Sequence, residues 1–251
     1  MAVQALYALQ NGFIGFQRSG LFYGDLSGER VQIPITCYLV RTADATVLFD
    51  TGLSPRAVAG LLRNDSMARF TDADLLVHRL DAIGLAPADV DVVVLSHLHY
   101  DHAGGAELFA KAELLVQRDE YATAHYPPPV LAPFYYRKNF DLPGHRWRLL
   151  DGDTELAPGL TVLRTDGHTP GHQSLLVNLP ATGPIILAGD ACYWQEHLET
   201  ERVPGVVWNP GAALHSIKRV KTLARLLGGR VFPAHDPHFW RSIKQAPDSY
   251  R

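Results

Sequence analysis

The residues best suited to chemistry are four potential metal ligands that fall within six consecutive positions. The four are His97, His99, Asp101 and His102. Imidazole nitrogens and carboxylate oxygens are common protein ligands of zinc and related divalent ions. The cluster directly follows an apolar run at residues 92–95, and a chance group of polar side chains is a poor explanation for that placement. The pattern therefore predicts a metal-binding segment at the end of a strand.

The geometry of an extended chain explains how this segment can serve two ions. Alternate side chains of a strand point the same way, so His97 and His99 can face one ion. The chain then turns as a helix begins, and Asp101 and His102 can face a second ion. The glycines that follow allow another part of the backbone to pass close by.

Three further candidate ligands lie downstream, each shortly after a strand-like run. They are His172, Asp190 and His235. Alone, each is weak evidence, because a single His or Asp after a strand often serves a turn or a cap. Together, the four strand ends describe one edge of a sheet, where active sites of α/β folds are favoured. His168, four residues before His172, is expected to brace its loop.

The elements that would position these residues are alternating strands and helices. Strands are predicted at residues 35–40, 46–49, 92–95, 114–117, 160–164, 174–179, 185–188 and 230–232. Several of these runs are apolar throughout, as strands buried on both faces are. Helical periodicity follows an N-cap-like Thr71 and recurs from Leu214 until Gly228 stops it. The alternation favours an α/β layered fold, with residues 1–251 as a single domain.

Composition indicates the class of protein and excludes several kinds of partner. Of 251 residues, 47% are hydrophobic and 20% charged, with a net charge of −3, as in ordinary globular proteins. Lysine and arginine are scattered, so we expect no nucleic-acid partner. No apolar run approaches the ~20 residues of a membrane span, and residues 1–7 lack a secretory signal. Two cysteines favour a reducing cytoplasm, and the sequence leaves a homodimer open.

One segment does not fit the alternation of strands and helices. Residues 126–136 are apolar and aromatic, yet they contain too many prolines for a regular element. Two interpretations stay open. The segment forms a lid or pocket wall, or it is a surface loop packed on the core or at a subunit contact.

The ligand pattern resembles the metallo-β-lactamase superfamily. The residues that carry the resemblance are His97, His99, Asp101, His102, His172, Asp190 and His235, in the family's order. It implies an αββα sandwich, two mixed sheets flanked by helices, with a dinuclear metal site at the sheet edge. It assigns the first metal to His97, His99 and His172, the second to Asp101, His102 and His235, and the bridging position to Asp190. Asp50, shared by the superfamily, is expected either to orient a metal-bound histidine or to hold its own turn.

A narrower resemblance, to the N-acyl homoserine lactonases, covers nearly the whole chain. It rests on residues 35–40, 48–52, 97–105, 167–174 and 216–219. It implies a metallohydrolase that opens the homoserine lactone ring with a hydroxide bridging two divalent ions. Zn²⁺ is the first expectation for those ions, and iron, cobalt or manganese suit the same ligands. The resemblance makes Tyr193 the donor to the lactone carbonyl and Asp101 the donor to the leaving oxygen.

The substrate that the resemblance implies has a polar head and an apolar tail, so its pocket should be largely apolar. The residues predicted to contact it are Phe16, Phe22, Tyr100, Phe134 and Tyr193. A hydrolase of another lactone, an ester, a thioester or a β-lactam stays open as an alternative. An iron oxidoreductase with a flavin domain, a nuclease and a catalytically silent binding protein are disfavoured by the chain's length, scattered basic residues and complete ligand set.

Overall fold

Two β-sheets lie face to face between outer layers of helices in this computed structural model, which describes residues 3–251. The two mixed sheets with flanking helices confirm the predicted αββα sandwich. Met1 and Ala2, the start of the segment searched for a secretory signal, lie outside the described residues.

The first sheet has six strands, and their order in space is their order in the chain. They are β1 (Val3–Gln17), β2 (Arg30–Thr42), β3 (Thr46–Phe49), β4 (Val92–Val94), β5 (Glu113–Gln117) and β6 (Arg146–Leu150). Strands β1 to β3 pair antiparallel, and β3 to β6 pair parallel.

The second sheet has five strands in the spatial order β11, β10, β9, β8, β7. They are β7 (Thr154–Ala157), β8 (Leu160–Arg164), β9 (Gln173–Leu179), β10 (Gly183–Leu187) and β11 (Arg230–Phe232). Strands β7 to β10 pair antiparallel, and β11 joins β10 in parallel. The segments that follow β4, β8, β10 and β11 carry the candidate ligands.

The helices cover the outer faces of both sheets. They are α1 (Arg18–Leu21), α2 (Pro55–Asn64), α3 (Leu76–Asp81), α4 (Tyr100–Ala103), α5 (Arg118–His125), α6 (Gln195–Thr200), α7 (Pro210–Leu227) and α8 (Pro237–Ser242). Within residues 3–251, none of them combines the length and apolar character needed to cross a bilayer.

The two predicted helices are present, and their local sequence explains their ends. Helix α7 starts earlier than its apolar periodicity suggests, because the Asn209 side chain accepts from two N–H groups of the first turn. It ends at Gly228, which adopts φ +63°. At the other helix, Asp74 accepts from the backbone N–H and hydroxyl of Thr71, but a 3₁₀ turn (Asp72–Asp74) precedes α3.

Three apolar clusters hold the layers together. Leu6, Phe49 and Leu187 belong to the cluster between the sheets. A second cluster packs α3, α4 and α5 on the first sheet, and a third packs α7 on the second sheet. Burial of such side chains contributes about 1.5–3 kcal/mol each relative to exposure. The sandwich is therefore a stiff support for the loops at its edge.

All eight strands predicted from the sequence are present, but three further strands were not predicted. Strand β1 is the longest of them, and its regular pairing with β2 is broken between Gln10 and Phe13. Gly12 lies within this irregularity at φ +82°. The break obscures the alternation from which a strand would be predicted. Strands β6 and β7 lie at the sheet edges, where alternation is only partly buried.

Candidate metal centre

A first group of ligand atoms converges from three different strand ends. Its members are His97, His99, His168 and Asp190, all of them buried. Nε2 of His168 lies 3.2 Å from Nε2 of His97, 3.1 Å from Nδ1 of His99 and 3.2 Å from an Asp190 oxygen. Nitrogen ligands about 2.0–2.1 Å from a tetrahedral ion lie roughly 3.3 Å apart. The group therefore has the dimensions of a single ion site.

A second group lies on the other side of Asp190. Its members are Asp101, His102 and His235. Oδ1 of Asp190 lies 3.1 Å from Nε2 of both His102 and His235, whereas Oδ2 faces the first group. An Asp101 oxygen lies 3.8 Å from each of these two nitrogens. Asp190 thus presents one oxygen to each group, which is the bridging position predicted for it.

Unpartnered polar atoms show that these groups fit a cation. Within residues 3–251, Nε2 of His102 and Oδ1 of Asp190 are buried and make no hydrogen bond. A buried acceptor without a partner typically costs about 1–3 kcal/mol. Because both atoms point at the same space, a positive ion between them would remove that cost. The His/Asp cluster is able to hold metal ions.

The sequence assigned His172 to the first group, whereas the structure brings His168 to that place. Nε2 of His172 accepts the backbone N–H of Asp190 at 2.9 Å, and its Nδ1 lies 3.1 Å from the carbonyl oxygen of Thr165. Both ring nitrogens are therefore used within the protein. His168 instead donates from Nδ1 to the Val206 carbonyl at 2.7 Å, which leaves its Nε2 for the group. The sequence holds two histidines four residues apart and gives no local signal that separates them.

The segment at residues 96–102 is fixed from behind by Asp50. Nδ1 of His102 donates to Asp50 at 2.8 Å, and the carboxylate also accepts from the N–H and hydroxyl of Ser96. Asp50 therefore orients the His102 ring, which is one of the two roles expected of it. Nδ1 of His235 is held in a comparable way by the carbonyl of Pro34 at 2.9 Å. Such contacts orient each ring so that Nε2 faces the centre.

Burial and the mutual charges of the cluster set its protonation. Burial lowers the pKa of His97 and His99, and neighbouring imidazoles lower it further. Burial alone would raise the pKa of Asp190, but the facing imidazoles, His102 and His235 foremost, hold it well below its usual value. Burial opposes protonation of His102, yet carboxylates led by Asp190 raise its pKa well above normal. The cluster therefore combines neutral imidazoles at His97 and His99 with an anionic Asp190 that favours positive charge at the facing His102.

A cavity opens onto both groups. Its lining residues are Phe16, Leu21, Ile33, His99, Tyr100, Asp101, Phe134, Asp190, Tyr193, Val206 and His235. The structure thus places four of the five predicted substrate contacts at the cavity. Phe22 is the exception, because it is fully buried and stacks on His197 with ring centroids 4.6 Å apart. Leu21, Ile33 and Val206 were not predicted, since an apolar residue of this kind looks like core in the sequence.

Tyr193 is a polar group of the cavity that belongs to neither ligand group. Burial, together with the negative charges of Asp190 and Asp101, raises the pKa of its phenol well above the ordinary value. The hydroxyl therefore keeps its proton at neutral pH and can donate a hydrogen bond. It lies 3.4 Å from Nδ1 of His168, beside the first group.

The proline-rich segment, residues 126–136, contributes Phe134 to one wall of the cavity. Phe134 and Tyr135 pack on the ring of His99 with centroids 5.1 Å and 4.7 Å away. Tyr136 stacks on Tyr100 at 5.2 Å. The segment follows this course through short 3₁₀ turns, Ala132–Phe134 and Arg137–Asn139, because proline prevents longer regular structure.

Comparison with known proteins agrees with the fold and the ligand pattern. The metallo-beta-lactamase superfamily pattern matches residues 30–235. An N-acyl homoserine lactonase of a Bacillus species is 35% identical over 99% of both chains, and lactonase AttM of Azorhizobium caulinodans is 34% identical over 98% of both. A solved N-acyl homoserine lactone hydrolase, with the product N-hexanoyl-L-homoserine at its catalytic metal centre, superposes with a TM-score of 0.89 at 33% identity, covering both chains completely.

Proposed function

Because the chain belongs to the metallo-beta-lactamase superfamily, and within it to the N-acyl homoserine lactonases, we propose that it hydrolyses N-acyl homoserine lactones to N-acyl homoserines. The observation that carries the proposal is the single cavity where both ligand groups and the Tyr193 hydroxyl meet an apolar wall. That combination suits a molecule with one reactive carbonyl and one apolar tail. The proposal treats residues 1–251 as one hydrolase domain.

The proposal includes two divalent ions, one in each ligand group, with Asp190 between them. His97, His99 and His168 would hold the first ion, and Asp101, His102 and His235 the second. Nitrogen and oxygen donors without thiolate favour Zn²⁺ and also suit iron, cobalt or manganese. When bound, such ions lower the pKa of a coordinated water towards ~7 and polarise a carbonyl.

The chain's own residues would orient the substrate and handle its protons. Tyr193 would donate its phenolic hydrogen to the carbonyl oxygen of the lactone, where negative charge builds up as the ring is attacked. A positioned donor of this kind is typically worth about 3 kcal/mol of the barrier. Asp101, at the cavity surface, would deliver a proton to the ring oxygen as the C–O bond breaks.

The apolar wall would hold the acyl tail and exclude water from it. Phe16, Phe134 and Val206 are apolar residues of this lining. A tail methylene that leaves water for such a surface contributes about 0.8 kcal/mol. The lactone head is thereby held against the ligand groups, while the tail extends along the wall.

A panel of substrates tests the function directly. Metal-replete protein is assayed on acyl homoserine lactones with short and long tails, beside simple γ- and δ-lactones and thioesters. We expect kcat/KM of about 10⁴ M⁻¹s⁻¹ or more on the acylated lactones. Elemental analysis of the same sample should give about two divalent ions per chain, and chelation should abolish the activity. Weak turnover of every lactone, with efficient thioester or ester hydrolysis, would contradict the lactonase assignment.

Location and assembly complete the proposal. A cytoplasmic location is proposed because Cys37 and Cys192 are both buried free thiols, as expected of a reducing compartment. A homodimer stays a prediction. Subcellular fractionation checks the first statement, and sedimentation of the purified protein checks the second.

A further inference from the structure

A fully buried carboxylate lies behind the metal centre and is not one of its ligands. Glu120, in helix α5, has no solvent exposure. Its Oε1 accepts the backbone N–H of Leu98 at 3.0 Å and the hydroxyl of Tyr135 at 2.8 Å, and its Oε2 accepts the N–H of Gly171 at 3.3 Å. Burial of an ionisable group carries a substantial free-energy cost, and these three donors offset part of it.

The three donors belong to the three segments that surround the first ligand group. Leu98 lies between His97 and His99, so its N–H fixes the backbone from which both side chains project. Gly171 closes the loop that carries His168. Tyr135 follows the cavity-lining Phe134 and packs on the ring of His99. One carboxylate therefore contacts both segments that carry these rings and the segment that packs on His99.

The contact with the His168 loop is also fixed by packing. A Cβ atom on Gly171 would lie 2.2 Å from the backbone nitrogen of Glu120 and 2.6 Å from its Cβ. Only glycine allows the loop to approach helix α5 so closely. The hydrogen bond and the close approach act on the same pair of residues, and each restricts how far the loop can move.

These contacts join the two sheets. His97 and His99 follow β4 of the first sheet, whereas His168 follows β8 of the second. The 3.1–3.2 Å spacing of their nitrogens therefore depends on how the two strand ends lie relative to one another. Glu120 bonds to the backbone on both sides of this junction.

We propose that Glu120 is a positioning residue of the metal centre, which sets the spacing of His168 against His97 and His99. This inference rests on the proposed dinuclear function. Loss of the carboxylate should weaken metal binding by the first ligand group, although no ligand side chain is removed. Partners behind metal ligands typically contribute about 10- to 100-fold in metal affinity.

The test compares Glu120→Gln, Glu120→Leu and the exposed control Glu155→Gln in the full-length protein. The glutamine oxygen can still accept from Leu98 and Tyr135, but its NH₂ group faces the Gly171 N–H, so the link to the His168 loop is lost. Leucine has similar bulk and accepts no hydrogen bond. The measurements are the zinc dissociation constants by chelator competition and the visible absorption spectrum of the cobalt-loaded protein.

We expect zinc affinity at the tighter site to fall about 10-fold in Glu120→Gln and up to about 100-fold in Glu120→Leu, with wild-type affinity in Glu155→Gln. The cobalt bands should change in intensity in both Glu120 variants. If Glu120→Leu fails to fold, as judged by circular dichroism, Glu120→Gln carries the test. Wild-type affinity and cobalt bands in a folded Glu120→Gln would overturn the positioning role and leave the proposed function intact. A wild-type protein that binds metal but opens no lactone would overturn only the function, and one that binds no metal would overturn both.

Discussion

Two segments supply histidines to the same ligand group, but they are held in different ways. Residues 96–102 pass from the end of β4 into α4, and the Asp50 side chain anchors them through Ser96 and His102. Residues 165–172 form the connection between β8 and β9, and backbone groups fix it at His168 and at Thr165. The Val206 carbonyl fixes the ring of His168, and the Thr165 N–H donates to the His172 carbonyl across the base of the connection.

The difference explains why neighbouring histidines have different roles. In an extended segment, the pleat decides which side chains share a face, so His97 and His99 must point the same way. In a connection between strands, the spacing of two residues along the sequence says much less about the directions in which their side chains point. His172 lies at the base, next to β9, and its ring supports the backbone of Asp190. His168 lies further out, where its ring reaches across to His97 and His99.

The largest effect is expected from substitutions of His168 and His172, the two residues on which this comparison depends. His168→Ala should lose the metal of the first group and lower kcat/KM by roughly 10³-fold, since metal polarisation is worth several kcal/mol. His172→Gln retains a group that can accept the Asp190 N–H and should keep wild-type metal content. Elemental analysis and lactone kinetics on both variants provide the measurement. Metal loss in His172→Gln, with full content in His168→Ala, would restore the sequence-based ligand set.

The next largest effect is expected at Asp50, the side chain that anchors residues 96–102. Asp50→Asn removes the negative charge that holds Nδ1 of His102, and we expect metal affinity to fall about 10- to 100-fold. Asp44→Asn, an exposed change in the turn before β3 and so at the other end of that strand, should leave affinity unchanged. Chelator competition measures both. Equal affinities for Asp50→Asn and Asp44→Asn would show that the strand end positions His102 without help from Asp50.

A smaller effect separates metal binding from catalysis. Tyr193→Phe removes the hydroxyl beside His168 but changes no ligand, so metal content should stay at the wild-type value. Lactone opening should slow by about ten-fold or more, because the developing charge on the carbonyl oxygen loses its donor. The exposed Tyr23→Phe serves as the matched control. Unchanged kcat in Tyr193→Phe would remove the hydroxyl from the mechanism.

The sequence was sufficient where local geometry decides the outcome. The dense motif at residues 97–102 predicted a ligand-bearing strand end, and the buried runs predicted eight strands of the sandwich. Both inferences depend on side chains separated by a few positions along a regular element. The role of Asp50, in contrast, was suggested by the resemblance to the superfamily, and the sequence left a turn role open beside it.

The sequence was insufficient where distant contacts decide the outcome. The choice of His168 over His172 depends on Val206, Asp190 and Glu120, which lie far away in the chain. Phe22 was expected at the cavity, but its ring turns inward onto His197. In contrast, Leu21 and Ile33 reach the cavity although the sequence suggests core positions. Such orientations follow from packing between elements, which composition and periodicity do not encode.

The smallest effect concerns the wall that covers residues 96–102. Phe134 lines the cavity and packs on His99 without taking part in the ligand groups. Phe134→Ala should remove about 1 kcal/mol of apolar contact with a long acyl tail, which corresponds to a roughly five-fold rise in KM. A short tail that does not reach the wall should show little change, and kcat should stay near wild type for both.

The matched control is Tyr126→Ala, since Tyr126 belongs to the same proline-rich segment but is 88% exposed. It should leave KM unchanged for every tail length. Steady-state kinetics on short- and long-tailed substrates distinguish two roles of Phe134. A KM change that grows with tail length makes Phe134 part of the binding surface. An equal change in KM at all tail lengths, or a loss of metal, would instead mean that the Phe134 ring acts through His99. Its role would then be to support residues 96–102 rather than to bind the tail.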